Sequence, residues 1–78
     1  MELTPLRVNA VSPGTVDTPI YAGMPAAARE DLFRAFAAAA PLGRVGRPEE
    51  VAQTVLYLIT STFTTGSTLY VDGGFTLR

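Results

Sequence analysis

The chain has 78 residues, 47% of them hydrophobic, and a net charge of −1, which predicts one small globular unit and argues against nucleic acid or an anionic membrane as a partner. It contains no cysteine, no histidine and no lysine, so this chain alone cannot form a disulfide, a Ser-His-Asp triad, a histidine or cysteine metal site or a lysine-based active site. The longest apolar run, residues 35–40, is too short to cross a bilayer and no secretory signal is visible, so we expect a cytoplasmic protein.

The first predicted element is a strand over Leu6–Ser12. Its apolar residues do not alternate cleanly with polar ones, a pattern typical of a strand buried on both faces. Pro13-Gly14 predicts a turn at its end, because proline lacks the N–H that a central strand needs. Residues 15–23 are then predicted to form a loop.

A first helix is predicted over Ala26–Ala40, which is rich in strong helix formers. Pro25 suits its first position, and Pro41 ends it because the residue before a proline is pushed out of the helical region. Leu32, Phe33 and Phe36 fall on one apolar stripe. The pair Phe33 and Phe36 predicts either core or the wall of a ligand site.

A second helix is predicted over Pro48–Thr60, after a connector at residues 42–47. Proline occupies its first position, and two glutamates follow at the positive end of the helix dipole. Its wide apolar face predicts burial and comprises Val51, Ala52, Val55, Leu56, Leu58 and Ile59.

The last predicted strand covers Ser67–Val71, after a polar stretch and a tight turn at Gly66. The order strand-loop-helix-helix-strand favours parallel pairing, because a helical crossover joins the two strands. Two short strands do not make a self-sufficient sheet. We therefore expect the sequence to form the end of a larger α/β domain.

Residues 9–18 carry the most informative pattern, in which a strand ends at Pro-Gly and small hydroxyl residues follow. In open α/β sheets, ligands bind outside the carboxyl ends of the strands. The backbone around Val16 and the hydroxyls of Thr15 and Thr18 are placed to bond an amide or a phosphate. An ordinary strand-to-loop turn is the alternative interpretation.

Three other motifs favour structural interpretations. Residues 43–47 contain two glycines but lack the G-x-G-x-x-G spacing of a phosphate loop, so a turn with surface arginines is predicted. Glu49 and Glu50 are adjacent on a helix and do not face each other, which favours a first-turn role over a paired-carboxylate site. Asp72 precedes two glycines and predicts a turn.

Three blocks resemble the short-chain dehydrogenase/reductase family: N-A-V-S-P-G-T-V-D-T-P at residues 9–19, P-L-G-R-V-G-R-P-E-E-V-A at 41–52 and G-S-T-L-Y-V-D-G-G at 66–74. They stand in the family's order and span most of the chain. The resemblance implies that residues 1–78 are a single partial domain. This would be the C-terminal part of a Rossmann-type doubly wound parallel sheet.

The resemblance also implies NAD or NADP as cofactor, with hydride transfer between an alcohol and a carbonyl. By position in the family's motif, Pro13 and Gly14 would border the nicotinamide. The backbone of Val16 would bond its carboxamide, and the Thr18 hydroxyl would reach the carboxamide or the pyrophosphate. A mobile substrate lid would lie in the loop and helix of residues 15–40, with side chains Ile20, Tyr21, Met24, Phe33 and Phe36.

The family's glycine-rich loop, catalytic serine and Tyr-x-x-x-Lys pair lie upstream of these motifs, and Met1–Leu3 would match the end of the helix that carries the pair. No catalytic or metal residue is therefore assigned in this chain. We expect it to form the cofactor wall and substrate lid of an oxidoreductase, acting on a small alcohol or carbonyl and not catalytic alone. The alternative is a non-catalytic interaction or oligomerisation module, because the family's last helix and strand commonly form homo-oligomer contacts.

Overall fold

Two parallel strands joined by two helices form the framework of the computed structural model, which describes residues 6–77. Strand β1 (Ala10–Pro13) pairs with β2 (Thr68–Val71), and the register sets Ala10 opposite Thr68 and Pro13 opposite Val71. The predicted parallel pairing is confirmed. The segment Met1–Leu3, expected to match the end of a helix, lies outside the described residues.

Helices α1 (Ala26–Ala39) and α2 (Pro48–Thr60) lie between the strands. The predicted bounds of α2 are confirmed. Helix α1 ends one residue earlier than predicted, because Ala40 before Pro41 is already extended, with φ −78° and ψ 130°. Neither helix is long and apolar enough to cross a membrane, and this holds for the whole described range.

The predicted strand over Leu6–Ser12 is wrong in both bounds, since β1 begins at Ala10 and runs through Pro13. Proline is accepted because the N–H groups of Ala10 and Gly14 donate toward β2, to Ser67 and Val71. Successive N–H groups of a strand point to opposite sides, so the N–H that Pro13 lacks would have pointed away from β2. The last strand begins at Thr68, one residue later than predicted.

Residues 6–9 lie beside the polar connector that precedes β2, where one backbone bond, from the Gly66 N–H to the Val8 carbonyl at 2.8 Å, is joined by side-chain bonds. The Asn9 amide donates to the Thr64 carbonyl at 3.0 Å and accepts from the Ser67 N–H at 3.0 Å. The Val8 N–H donates to the Thr65 hydroxyl at 3.1 Å. These bonds explain why regular pairing begins only at Ala10.

Two short 3-10 turns complete the fold, at Pro19–Tyr21 and Phe75–Leu77. The first lies inside residues 15–23, which were predicted to be an irregular loop throughout, and Pro19 preorganises its first position. The second follows the predicted turn at Asp72.

The predicted burial of both strands and of the α2 apolar face is confirmed for Leu58 but is wrong for most of the other residues. Val8 is 54% exposed, Leu56 59% and Ile59 63%. Helix α2 packs against both strands, but within residues 6–77 no second layer covers its outer side. The buried apolar core comprises Val16, Phe36, Ala40 and Leu58.

Candidate functional site

The carboxyl ends of the two strands meet at one edge of the sheet. Pro13 ends β1 opposite Val71, which ends β2. The N–H of Gly14 extends the pairing by donating to the Val71 carbonyl at 3.0 Å. Ligands of open parallel sheets bind outside this edge. The segments that follow β1 and β2 therefore form the candidate site.

Gly14 lies where three segments come into contact. A Cβ built on this residue would lie 2.9 Å from the Asp72 Cβ and 2.9 Å from the Phe36 Cζ. Both distances are too short for real carbon atoms, so the position has room for glycine alone. Gly14 thus lets the end of β1 touch both the end of β2 and helix α1.

Val16 is buried, with 7% of its surface exposed, and forms an isolated parallel bridge with Gly46. The bridge uses the Thr15 carbonyl, which accepts from Gly46 at 2.9 Å, and the Asp17 N–H, which donates to Gly46 at 3.1 Å. In this pairing the N–H and C=O of Val16 itself point away from Gly46. The bridge therefore fixes the loop while directing the Val16 backbone to the other side.

Thr18 precedes the first 3-10 turn and has extended backbone, with φ −127° and ψ 165°. Its carbonyl accepts from the Tyr21 N–H at 3.2 Å, but its side chain makes no capping hydrogen bond to that turn. The half-buried hydroxyl is therefore not used to cap the turn that follows it.

The five predicted lid side chains do not form one cluster. Tyr21 and Phe33 meet edge to face, with ring centroids 5.3 Å apart and planes at 88°. Ile20 is 82% exposed and Met24 is half-buried. Phe36 is buried and stacks instead on Phe75, with centroids 5.0 Å apart and planes at 13°.

Asp72 is buried directly after β2, and its carboxylate organises the chain that follows. It accepts hydrogen bonds from the N–H groups of Gly74 at 3.0 Å and Thr76 at 3.1 Å. Burial raises the pKa of this carboxyl, but the bonds from Thr76 and Gly74 outweigh burial and leave the pKa below its ordinary value. The predicted turn role of Asp72 thus extends to capping the last 3-10 turn.

The connector between the helices carries an ion pair that sequence reasoning missed. Arg44 donates to both oxygens of Glu50, at 2.8 and 2.7 Å, and the Arg47 N–H donates to Glu50 at 2.8 Å. These contacts, with Arg44 the largest cause, lower the pKa of Glu50 to about 2. The two residues line a cleft of about 280 Å³, together with Leu42, Gly46, Tyr70, Val71, Asp72, Gly73 and Gly74, which contains none of the four candidate cofactor residues.

Arg7 makes a second set of contacts that the sequence did not reveal. Its guanidinium donates to the carbonyls of Leu58 at 2.9 Å, Ser61 at 2.9 Å and Ile59 at 3.1 Å, at the end of α2. One signal was available, since the last turn of α2 contains no basic residue. The free carbonyls at its end needed a donor from elsewhere.

No group of three or more His, Cys, Asp or Glu side chains within residues 6–77 is arranged to hold a metal ion.

Comparison with known proteins gives a consistent result. The profile of a family described as Enoyl-(Acyl carrier protein) reductase matches residues 1–76. Cis-4-hydroxycyclohexanecarboxylate dehydrogenase of Sinomonas cyclohexanicum is 48% identical over 73 residues, which is 91% of this chain and 28% of the relative. The 3-oxoacyl-[acyl-carrier-protein] reductase FabG of Thermotoga maritima is 43% identical over 74 residues, which is 92% of this chain and 28% of the relative.

Solved structures agree on the fold. A small-chain dehydrogenase in complex with NADPH matches with a TM-score of 0.90 and 39% identity, over 99% of this chain and 35% of that one. The reductase/Diels-Alderase MalC of Malbranchea aurantiaca matches with a TM-score of 0.92 and 37% identity, over 100% and 30%. The chain therefore spans about a third of the length of the proteins it resembles.

Proposed function

This chain belongs to the short-chain dehydrogenase/reductase family, and we propose that it supplies the C-terminal cofactor wall and substrate lid of an NAD(P)-dependent oxidoreductase. Its two strands and two helices correspond to part of the family's Rossmann-type fold. Members of the family use NAD or NADP. In this proposal the rest of the active site is formed by residues equivalent to the part of the relatives that this chain does not cover.

The proposal rests above all on the backbone geometry of the loop that follows β1. The bridge to Gly46 fixes this loop and directs the Val16 N–H and C=O away from Gly46. An amide needs one donor and one acceptor close together, and a single backbone residue offers both. The nicotinamide carboxamide is such an amide, so the residue types present fit the cofactor.

Thr18 and Gly14 add to this fit. The Thr18 hydroxyl is not used to cap its own turn, which leaves it suited to the carboxamide or the pyrophosphate. Gly14 lies at the carboxyl edge of β1 and bonds to Val71 at the end of β2, and Pro13 beside it is exposed. When bound, the nicotinamide supplies the hydride, and this chain's residues orient the ring and limit access of water.

The lid in this proposal is the loop and helix of residues 15–40, which follows the candidate cofactor loop directly. Between Thr18 and Ala28 the sequence contains no charged side chain. Ile20 is exposed, and the rings of Tyr21 and Phe33 pair edge to face in the same segment. Such a lid covers a small alcohol or carbonyl substrate with apolar surface and excludes water from it.

The test joins the upstream part of the Thermotoga maritima reductase to this chain, in what we call the joined enzyme. Thr18→Val keeps the side-chain shape and removes one hydrogen bond, worth about 0.5–1.5 kcal/mol. We expect NAD(P)H to bind about two- to tenfold more weakly, with little change in thermal stability. Thr68→Val, an exposed threonine of β2, is the matched control and should leave binding unchanged.

Two results would contradict the proposal. A joined enzyme that folds but binds neither NADH nor NADPH would contradict the assignment of this chain as a cofactor wall. An unchanged NAD(P)H dissociation constant in Thr18→Val would show that the Thr18 hydroxyl does not bind the cofactor.

A second candidate function, a homo-oligomerisation module, is favoured by the uncovered outer face of α2. Leu56 and Ile59 are 59% and 63% exposed there, and large apolar patches of this kind mark contact surfaces. Sedimentation of the joined enzyme should show a multimer that Ile59→Glu dissociates. A monomeric wild-type protein would exclude this candidate.

A further inference from the structure

Helix α1 is fixed at one of its two ends. Phe36 is 9% exposed, and Ala40, immediately after the helix, is 4% exposed. Residues 26–28 and 30–32, by contrast, are exposed. The buried contacts of α1 therefore lie in its last turn, and its first turns lie at the surface.

The fixed end depends on how Phe36 is packed. One part of its ring lies against Gly14, close enough that a Cβ on Gly14 would be 2.9 Å from the Phe36 Cζ. Its face stacks nearly parallel on Phe75, with centroids 5.0 Å apart. Stacked aromatic pairs of this kind contribute beyond the apolar area that they bury.

The other ring of the stack belongs to a segment whose backbone is held on both sides. Asp72 bonds the N–H groups of Gly74 and Thr76, the residues before and after Phe75. The Phe75 N–H itself donates to the Asp72 carbonyl at 3.1 Å. Gly74 takes φ +87°, a conformation that favours glycine. Phe75 is thus a fixed support at the end of β2, on which the ring of the helix rests.

The surface end of α1 is linked to the preceding turn, rather than to the sheet, by the edge-to-face pair of Tyr21 and Phe33. Both rings belong to the proposed lid, so the pair connects the first 3-10 turn to the middle of α1. A Cβ built on Gly23, between them, meets no atom within 4 Å. The Cβ side of Gly23 therefore faces open space.

We propose that Phe75 is a positioning residue, which holds Phe36 and so provides the support about which residues 19–33 open and close. This inference rests on the proposed function, because it assigns the lid its fixed and moving parts. Phe36 belongs to the fixed part. Ile20, Tyr21, Met24 and Phe33 belong to the moving part that reaches the substrate.

Trypsin cleavage of the joined enzyme, with no cofactor added and the cut sites identified by mass spectrometry, tests the support. Arg29 and Arg34 lie in α1, whereas Arg7 and Arg44 lie outside it and are held by α2 and Glu50. Phe75→Met keeps an apolar side chain but removes the stack. We expect cleavage at Arg29 and Arg34 to rise about two- to tenfold relative to Arg7 and Arg44.

Two control variants complete this experiment. Phe63→Met changes a fully exposed phenylalanine and should leave the cleavage pattern unchanged. Phe75→Tyr keeps the ring and should behave as wild type. The proposal is overturned if Phe75→Met leaves the ratio unchanged, if all four sites rise together, or if the wild-type chain is cut equally at all four.

Kinetics of the joined enzyme supply the functional readout, with ethyl 3-oxobutanoate as the carbonyl probe. Phe75→Met should raise KM for the probe about two- to tenfold and leave kcat and the NADPH dissociation constant within about twofold. Equal losses in KM, kcat and cofactor binding would indicate a structural role alone and overturn the positioning role. Absence of NAD(P)H binding by the wild-type joined enzyme would instead contradict the proposed function, while the trypsin experiment would still decide whether Phe75 holds the helix.

Discussion

Helices α1 and α2 are similar in length but are held in opposite ways. At its start α2 has the Glu50 carboxylate bound by Arg44 and the Arg47 N–H, and at its end it has the Arg7 guanidinium on its last carbonyls. Helix α1 begins after Pro25 with no side-chain cap, no acidic residue in its first turn and no basic residue in its last. It is held by the burial of Phe36 and Ala40.

Under the proposed function, this difference separates a scaffold from a lid. Polar bonds at both ends fix the direction of α2 against the sheet, and therefore the position of β2 and the turn that follows it. In the proposed lid, apolar packing at one end of α1 would let the helix tilt about Phe36. Such asymmetry is what a segment needs if it must close over a ligand and reopen.

The largest loss of stability is expected from Gly14→Ala, which disturbs the packing of Phe36 at the end of α1. The new methyl group would lie 2.9 Å from carbon atoms of Asp72 and Phe36, and overpacking of this kind costs about 1–3 kcal/mol. Urea unfolding of the joined enzyme should show this loss. Gly23→Ala is the matched control, because its methyl group would enter open space. Equal stability of the two variants would contradict the close packing of Phe36 on Gly14.

A smaller loss is expected from Arg7→Ala, which removes the donor at the end of α2. Cations near a helix C-terminus contribute about 0.3–1 kcal/mol, and up to about 2 kcal/mol in favourable geometries. We expect about 1–2 kcal/mol, because one guanidinium serves several carbonyls.

The control for Arg7 is an arginine of α1. Arg34 pairs with Asp31 at 2.9 Å, but both side chains are more than 70% exposed, and exposed pairs of this kind contribute about 0–1 kcal/mol. Arg34→Ala should therefore change the free energy of unfolding less than Arg7→Ala does. The reverse order would show that α2 does not depend on its remote donor.

The smallest effect concerns pH and the start of α2. The pKa of Glu50 falls from 4.5 to about 2 in the folded chain. A carboxyl with a lowered folded pKa contributes stability that is present above about 4.5 and is lost as the pH falls toward about 2. Because the Arg44 side chain is 50% exposed, solvent reduces the effect.

Glu50→Gln should therefore flatten the fall in melting temperature of the joined enzyme between about pH 4.5 and about pH 2. Asp72, whose pKa is also lowered, keeps part of the slope. Glu49→Gln, in the same helical turn, leaves the Arg44–Glu50 pair intact and is the matched control. A Glu50→Gln profile parallel to wild type would contradict the role of the ion pair.

Local chemistry made α2 predictable and left β1 less so. Proline at the first position and two glutamates mark the start of α2, and its bounds at Pro48 and Thr60 agree with the structure. The limits of β1 depend on a partner more than fifty residues away, whose register places the missing N–H of Pro13 on the opposite edge. No local pattern contains that information.

The candidate site shows the same division. The motif at residues 9–19 predicted which loop follows β1, and the structure places Gly14 and Val16 at the edge where both strands end. Helical spacing put Phe33 and Phe36 on one stripe, but their partners, Tyr21 and Phe75, lie in different parts of the fold. Spacing along a helix predicts a shared face and does not predict what each ring meets.

The parallel register also has a consequence for how the chain folds. Asn9 and Ser67, which bond where the strands begin to pair, are 58 residues apart in sequence. Closing so long a loop loses chain entropy before any strand contact is gained, and distant pairings of this kind slow folding. Helix α2, with contacts close in sequence at its start, forms without waiting for that closure. We therefore expect the edge that carries Gly14, Val16 and Asp72 to assemble after α2, so that a newly made chain acquires its candidate cofactor loop late.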